Sequence, residues 1–299
     1  AFLMYILFLQ LASAHHMLVE PGFSSEWKIF NTSYAMYLAV LGSMVHGMTV
    51  PGSIEAAQRA RGLTKGLFEW LRKAPWGNPA FAGMFMSLVF FGFIGGISGV
   101  VMGTEQINLI MHNTLYVPGH FHGTVVAGTT LAFMAITYYL IPLVFRREIM
   151  FMKLAKLQPY LFDIGAAGIS VFMMGAGTLG VSRRHWDMQF ADAILPFDYP
   201  SAAFLMMGLN GMFAVLAAVG GIAFIVVVVG SVFFGRKLGV DEKPSYPEVP
   251  PQAAVVAEHG SAHSLKIPGT TMLVAIFFIA FVLYYFVNWK YLSEVWPLS

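Results

Sequence analysis

The chain has 299 residues, of which 58% are hydrophobic and 11% are charged. Its mean hydropathy is +0.70, and it lacks the roughly one quarter of charged residues that a soluble domain carries, so a water-soluble class is excluded. The net charge of +2 is too small to indicate nucleic-acid binding or electrostatic recruitment to a membrane surface. With no cysteine, disulfides, thiolate metal sites and a cysteine nucleophile are also excluded.

The chain opens on an apolar stretch that carries no charge. A signal peptide has a basic segment before its apolar run, and residues 1–14 contain none. We therefore expect the sequence to start inside a membrane helix, as a piece of a longer polypeptide or as a split subunit.

Six further apolar runs follow, each near the roughly 20 residues that a helix needs to cross a bilayer. They cover residues 32–50, 80–102, 120–145, 159–181, 202–234 and 268–287. Backbone groups in lipid must bond within their own segment, and the runs do not alternate as barrel strands do. The sequence thus predicts an all-α, polytopic transmembrane helical bundle of about seven helices, a single domain over residues 1–299.

Basic residues are divided unequally between the loops on the two sides of the predicted membrane. Of the 17 Lys and Arg residues, only Lys28, Arg183, Arg184 and Lys290 fall on one side, which the positive-inside rule makes the outer side. The cytoplasmic side includes residues 235–267, whose EKPSYPEVPPQ run predicts a flexible linker.

Histidines cluster on the predicted outer side. Six of the nine are placed there, namely His15, His16, His112, His120, His122 and His185. A single interfacial histidine is usually satisfied by water or a lipid headgroup. Because imidazole is costly to bury in a bilayer, a cluster of this size favours function instead.

His120 and His122 stand two residues apart in the segment HNTLYVPGHFHGTVV. At 100° per residue their side chains point about 200° apart on a helix, so they cannot bind one metal ion together. Two planar cofactors on opposite sides of the helix, each with an iron that takes one axial imidazole, fit this spacing. Phe121 would then lie between the two groups, and Gly119 and Gly123 would let flat rings approach the backbone.

His15 and His16 are adjacent at the end of the first predicted helix. Pro21 and Gly22 predict a turn nearby, and if the backbone turns, both imidazoles could bind one small ion. Ligation by nitrogen alone suits copper or iron better than calcium or magnesium. A His-His pair is, however, a weak signal by itself.

Arg183 and Arg184 depart from the charge pattern because they lie on the outer side. A pair of arginines at a helix end commonly contacts lipid headgroups. Here the pair shares a membrane face with the histidines, and guanidinium is the natural partner of a propionate carboxylate, so we favour haem propionates as its ligand.

These motifs resemble subunit I of the haem–copper terminal oxidases over essentially the whole chain. The resemblance is carried by HHMLVEPG, HNTLYVPGHFH and SRRHW in that order, and the tract RGLTKGLFEWLRKAPWGNPAF resembles the B-family of these enzymes. It implies that the chain corresponds to the C-terminal half of that subunit, from its seventh to its thirteenth helix.

The resemblance implies a role for each matching residue. His15 and His16 match two of three ligands of the copper CuB, His120 the axial ligand of the high-spin haem, and His122 one axial ligand of the low-spin haem. The residues implied to lie by the haem propionates are His112, Asn113, Arg183 and Arg184. The third copper ligand, its cross-linked tyrosine and the second low-spin ligand belong to helices that this sequence does not contain.

The sequence departs from the family pattern in three places. Asn113 replaces a common aspartate, which argues against a magnesium site because an amide is a poorer ligand for a hard cation. Ser182 stands where related chains often have proline. No lysine lies in residues 32–50, where some relatives have a proton-conducting one, but polar residues recur there on one helical face at Ser43, His46 and Thr49. We interpret these three as a proton path, with ordinary polar helix packing as the alternative.

The predicted function is reduction of O₂ to water by a respiratory oxidase with two haems and copper, coupled to proton uptake or translocation. The implied partners are oxidase subunit II with its electron-receiving copper site, cytochrome c or a similar donor, the missing N-terminal half, and the membrane of a prokaryotic cell. Nitric oxide reduction by a member of the same superfamily is the alternative. A non-enzymatic transporter, with polar groups at broken helices near the midplane, is a third possibility.

Overall fold

A computed structural model of the protein describes residues 2–12, 14, 16–184, 199–246 and 266–295. His15 and His185, which the sequence singled out, lie outside these residues. Within the described ranges the chain forms helices joined by short loops, and the only extended pairing consists of two isolated bridges. The predicted all-α class is therefore confirmed.

Helices follow one another along the described chain and are numbered in that order. The α-helices are α1 (Phe2–Leu11), α2 (Ser25–Ile29), α3 (Met36–Ala60), α4 (Glu69–Arg72), α5 (Pro79–Phe90), α6 (Ile97–Gly103), α7 (Glu105–Met111), α8 (Tyr116–Phe121), α9 (Leu131–Leu140), α10 (Met152–Thr178), α11 (Ser201–Phe234) and α12 (Pro268–Val295). Wider π-helical turns continue several of them at Phe30–Ala35, Phe91–Gly96, His122–Thr130 and Ile141–Phe145.

Five of the helical rods in the described residues are long and apolar enough to cross a membrane. They are Pro79–Gly103, Tyr116–Phe145, Met152–Thr178, Ser201–Phe234 and Pro268–Val287. Each overlaps a predicted span, although α10 begins seven residues before the predicted start at Pro159 and keeps that proline inside the helix.

Two predicted spans fall outside that set. The described part of the first, α1, has 10 residues. The predicted span 32–50 lies in a helix that runs on through α3 to Ala60, and its last turns carry Glu55 and Arg59. The helix therefore extends past the predicted span into a polar region.

α10 lies in the interior of the bundle and contacts α5, α8, α9 and α11. Its packing on α11 depends on small residues, since a Cβ added to Gly165 would lie 2.4 Å from the backbone nitrogen of Ala217. A Cβ added to Gly220 would likewise lie 2.5 Å from the backbone nitrogen of Phe162. Close backbone approach through glycine is typical of helix pairs in membranes.

The π-helical segments Phe91–Gly96 and His122–Thr130 cross at two glycines. A Cβ on Gly95 would lie 2.5 Å from Cγ2 of Thr124, and a Cβ on Gly123 would lie 3.1 Å from the nitrogen of Gly95. Such π-helical turns are rare and often occur at functional sites. The crossing brings α6, which follows the first segment, against α8, which precedes the second.

Glu55 joins α3 to the start of α12. Its side chain is fully buried and accepts hydrogen bonds from the backbone nitrogens of Gly269 at 3.0 Å and Thr270 at 2.6 Å. It also pairs with Arg59 at 2.7 Å. A carboxylate at a helix N-terminus satisfies amides that have no partner within the helix, so Glu55 anchors α12.

Part of the predicted linker makes specific contacts. Arg236 pairs with Glu148 at 3.2 Å and Glu242 at 2.5 Å, and Ser245 donates a backbone hydrogen bond to Glu148 at 3.0 Å. Residues 247–265 lie outside the described part of the chain. The flexibility of residues 235–267 thus stays a prediction.

Candidate haem-binding and metal-binding site

His120 is held at the buried face between α8 and α6. Its side chain is 6% exposed, and Nδ1 lies 3.0 Å from Oγ of Ser98. A Cβ added to Gly99 would lie 2.8 Å from Cε1 of the imidazole, so only glycine leaves space for the ring there.

The bonds of Ser98 define which nitrogen of His120 carries the proton. Its Oγ donates to the carbonyl of Ile94 and lies 3.0 Å from the carbonyl of Gly95. A carbonyl can only accept, so the single hydroxyl proton points there, and Oγ accepts from His120. Nδ1 therefore bears the proton and Nε2 has the lone pair that a metal requires.

His122 is fixed in the same way by its own helix. Nδ1 lies 2.7 Å from the carbonyl oxygen of Pro118, which can only accept. The proton again lies on Nδ1, and Nε2 has the lone pair. The side chain is half-buried, in contrast to that of His120. The two imidazoles lie on one helix but differ in burial, since His120 is buried and His122 is half-buried.

Phe121 links His120 to the second histidine motif. Its ring centroid lies 5.4 Å from that of His120 and 5.9 Å from that of His16. The chain turn that carries His16 is therefore next to the helix that carries His120. That His16 and His120 face one another as copper and iron ligands, and that Phe121 lies between two haems, stay predictions.

Asn31 positions the turn that leads to His16 and was missed by the sequence analysis. Its side chain is fully buried, and Oδ1 accepts a hydrogen bond at 2.9 Å from the backbone nitrogen of Ala14. Its Nδ2 donates to the carbonyl of Trp27 at 3.1 Å, which orients the amide. The only sequence signal was an asparagine at the start of an apolar run.

The loop after α7 pairs with the loop after α10 at the same end of the bundle. Thr114 and Ser182 form an antiparallel bridge, and the backbone nitrogen of Arg183 donates to the carbonyl of Asn113 at 2.8 Å. The guanidinium adds bonds from Nη2 at 3.0 Å and Nε at 3.3 Å to Oδ1 of Asn113. Asn113 has a φ of +63°, which asparagine tolerates better than most residues.

Positive charge is concentrated around His112 in this loop pair. Partial burial lowers the pKa of His112, and the nearby charges of Arg183 and Arg184 lower it further, while the carboxylate of Glu20 opposes them. Burial, followed by the charge of Arg184, also lowers the pKa of Arg183. The region therefore has a positive potential that would stabilise carboxylates.

The four residues that the resemblance assigned to haem propionates thus come together. His112 and Asn113 lie on one loop and Arg183 and Arg184 on the other. Their binding of propionates is not tested by this arrangement and stays a prediction.

The three residues of the predicted proton path are not all placed alike. Ser43 and His46 line a cavity of about 380 Å³ between α3, α5 and the π-helical segment that precedes α9, and Ser87 lines the same cavity. Thr49 is not among the lining residues, and its carbonyl accepts a hydrogen bond from Ser53 at 2.7 Å.

The described residues support haem binding more fully than they support copper binding. Nε2 of His120 and His122 has the tautomer that iron needs, Gly99 makes room for the ring of His120 itself, and two arginines lie in the outer loops. Among the described residues, no three His, Asp or Glu side chains converge as a metal site. His15, one of the two predicted copper ligands, lies outside those residues, so the copper set stays a prediction.

Known proteins with a similar sequence and fold define the class. Residues 1–207 match the family model described as cytochrome c and quinol oxidase polypeptide I. Cytochrome c oxidase subunit 1 of Thermus thermophilus is 35% identical over 263 residues, which cover 86% of this chain and 44% of that protein. The corresponding polypeptide of Halobacterium salinarum is 37% identical over 103 residues, or 33% of this chain and 17% of that protein.

A solved structure agrees with the sequence matches. The cryo-EM structure of a haem–copper terminal oxidase dimer superposes with a TM-score of 0.70 at 26% identity, over 93% of this chain and 48% of that one. Fold and sequence thus identify an integral membrane subunit of the haem–copper oxidases. The chain belongs to the cytochrome c and quinol oxidase polypeptide I family, and it spans less than half the length of these relatives.

Proposed function

We propose that this chain is the C-terminal half of the catalytic subunit of a respiratory oxidase that reduces O₂ to water with coupled proton uptake. The observation that carries the proposal is the pair of histidines on one helix, His120 and His122, with Nδ1 of each fixed by a protein oxygen. Ligands held in one orientation lower the cost of ordering a metal site. When bound, two haems and a copper would supply electron transfer and O₂ binding.

The residues of the chain have separate tasks in this proposal. Nε2 of His120 would hold the high-spin haem iron and Nε2 of His122 the low-spin haem iron, while His15 and His16 would hold CuB. The propionates are bound by the outer loops through Arg183 and Arg184, beside His112 and Asn113.

Protons are proposed to reach the centre from the Lys- and Arg-rich side. Ser43, His46 and Thr49 form the candidate path, and the first two line the cavity beside α5. Side chains that can both donate and accept hydrogen bonds relay protons when water connects them.

The partners belong to the same proposal. Electrons would come from cytochrome c or a similar donor through an oxidase subunit II that carries the copper site receiving them. An N-terminal half of subunit I would supply the remaining ligands, and the complex would lie in the cell membrane of a prokaryote with its haem ligands toward the outer side. The relatives are named as cytochrome c oxidase subunits, which supports these assignments.

The test is turnover and metal content of the purified membrane complex that contains this chain. We expect haem iron and copper in the complex, and O₂ consumption that exceeds NO consumption under matched electron supply. Faster NO consumption would replace the proposal with nitric oxide reduction. A complex without haem absorption would contradict both reactions and favour a transporter.

A further inference from the structure

Asp163 is an acidic side chain in the middle of a membrane helix. At 1.5 Å per residue it lies about 16 Å along α10 from Met152, near the centre of the 27-residue helix. It is 0% exposed, and neither carboxyl oxygen has a hydrogen-bond partner among the described residues. Buried polar groups nearly always have a partner, so this carboxyl group requires an explanation.

The helices around Asp163 offer it no cation. The spans Pro79–Gly103, Tyr116–Phe145 and Ser201–Phe234 contain no Lys, Arg, Asp or Glu. The titratable groups of the elements packed against α10 are His120, His122, Tyr116, Tyr138 and Tyr139. On α10 itself, Lys156 lies about 10 Å nearer the basic end, with Lys153 and Tyr160 also on that side.

In this environment a proton is the ligand that the carboxyl group of Asp163 binds most favourably. An ionised carboxylate without a partner in the bilayer interior is strongly destabilised, whereas the neutral acid is tolerated. A metal cation would need several oxygen ligands around it. No second carboxylate lies in the neighbouring spans to supply them. The form of Asp163 that suits its surroundings is therefore the protonated acid.

Ser87 of α5 lies at the same depth as Asp163. A Cβ on Gly83 would lie 3.6 Å from Cβ of Pro159, and further along both helices Gly95 and Ser170 meet at Gly123. The two contacts occur in the same order, so α5 and α10 run in the same direction. Ser87 and Asp163 each follow the first contact by one helical turn.

Ser87 also lines the cavity that contains Ser43 and His46. Its hydroxyl donates to the carbonyl of Met84 at 2.8 Å, which leaves lone pairs on Oγ as acceptors. Along α5 the cavity lining extends from Phe81 near the basic end to Phe91, a rise of about 15 Å. The cavity of about 380 Å³ is lined mainly by apolar side chains, and Ser43, His46, Ser87 and Thr129 are the polar groups at which water could be bound.

We propose that Asp163 is a proton-binding site in the membrane interior that exchanges its proton with the basic side through Ser87 and this cavity. On uptake, a hydrated proton from the cavity forms the carboxyl O–H bond. On release, that bond breaks and the proton returns to water, with no transfer of electrons. The use of this proton in O₂ reduction rests on the proposed function, whereas the binding site does not.

Infrared spectroscopy of the assembled membrane complex tests the site. We expect the C=O stretching band of a protonated carboxylic acid that is absent in Asp163→Asn and displaced in Asp163→Glu. The matched control is Glu69→Gln, because Glu69 pairs with Lys73 at 2.8 Å and is ionised, so the band should remain. A band that is unchanged in Asp163→Asn would overturn the proposal. If that variant does not assemble, an undisplaced band in Asp163→Glu would do the same.

Hydrogen–deuterium exchange of the same band tests the route. After transfer to D₂O we expect Ser87→Ala to slow the isotope shift severalfold, and Ser231→Ala, a buried serine on α11 away from the cavity, to leave it unchanged. Equal rates in Ser87→Ala and the parent complex would contradict the route. O₂ consumption is measured separately, so a complex that shows the Asp163 band without O₂ reduction would refute the proposed function alone.

Discussion

The hydroxyl of Ser98 lies 3.0 Å from Nδ1 of His120 and accepts its proton, because the hydroxyl proton of Ser98 is directed to backbone carbonyls. This contact joins α6 to α8 and fixes both the tautomer and the ring orientation of His120. A residue that no motif contains thus controls the proposed iron ligand.

Ser98→Ala should weaken the proposed iron site without removing it. Loss of a hydrogen-bonded partner of a metal ligand typically costs about 10-fold or more in affinity or activity. We expect a shifted iron–histidine stretching frequency in the resonance Raman spectrum and about 10-fold slower O₂ consumption. The control Ser231→Ala removes a buried serine from another helix and should change neither. An unchanged iron–histidine frequency in Ser98→Ala would refute the role of Ser98.

Asn31→Leu should release the turn that carries His16. The substitution removes the acceptor of the Ala14 backbone nitrogen. We expect copper content to fall relative to haem iron, as measured by elemental analysis of the purified complex. Thr32→Val is the matched control, because Thr32 is also buried and its hydroxyl donates to the nearby carbonyls of Lys28 and Ile29. Equal copper-to-iron ratios in the two variants would contradict the positioning role.

His112 should make the complex less stable in acid. Its pKa is lowered in the folded protein by burial and by Arg183, so below the ordinary value of about 6.5 the unfolded chain binds a proton that the folded chain resists. The stability that neutral His112 contributes to the folded protein is fully present above about pH 6.5, the ordinary pKa of histidine. It is lost as the pH falls through the lower pKa of His112 in the folded protein.

Thermal denaturation of the complex as a function of pH measures this effect. His112→Asn should flatten the decrease in Tm on acidification. Glu20→Gln removes the carboxylate that raises the pKa of His112, so it should make the decrease steeper. Identical pH profiles for His112→Asn and the parent protein would show that His112 does not carry the effect.

Gly165→Ala should destabilise the α10–α11 pair. The new Cβ would lie 2.4 Å from the backbone nitrogen of Ala217, so the helices must move apart. Overpacking of this kind costs about 1–3 kcal/mol, which should lower the Tm. Gly211→Ala on α11 is the control, because no atom lies within 4 Å of its added Cβ, and it should have little effect or raise the Tm. Equal losses in both variants would contradict the packing interpretation.

The helices and the outer loop cluster were predictable from sequence, for physical reasons. A bilayer requires long apolar helices, and the loop charges placed His112, Asn113, Arg183 and Arg184 on one side. The structure joins these four through the Thr114–Ser182 bridge. The spacing alone also predicted that His120 and His122 point in different directions, because residues two positions apart lie on opposite faces of a helix.

Contacts between distant segments were not predictable. Ser98 meets His120 only because two π-helical segments cross at glycines, and no local pattern indicates that crossing. Glu55 at the N-terminus of α12 depends on a fold contact between residues more than 200 positions apart. Asp163 is different, because a lone acid in an apolar run is visible in the sequence and could have been found by a search for intramembrane charges.

The assignment of His120 and His122 to two different haems is tested most directly by reduced-minus-oxidised absorption spectra, with and without CO, of the complex with each histidine replaced. We predict that His120→Ala abolishes the CO-sensitive high-spin signal and O₂ consumption while the low-spin signal largely persists. His122→Ala should instead remove the low-spin signal. Loss of the low-spin signal in His120→Ala, with the high-spin signal retained, would show that the two ligands are assigned in reverse. Two haem signals that persist in both variants would contradict haem ligation by this helix.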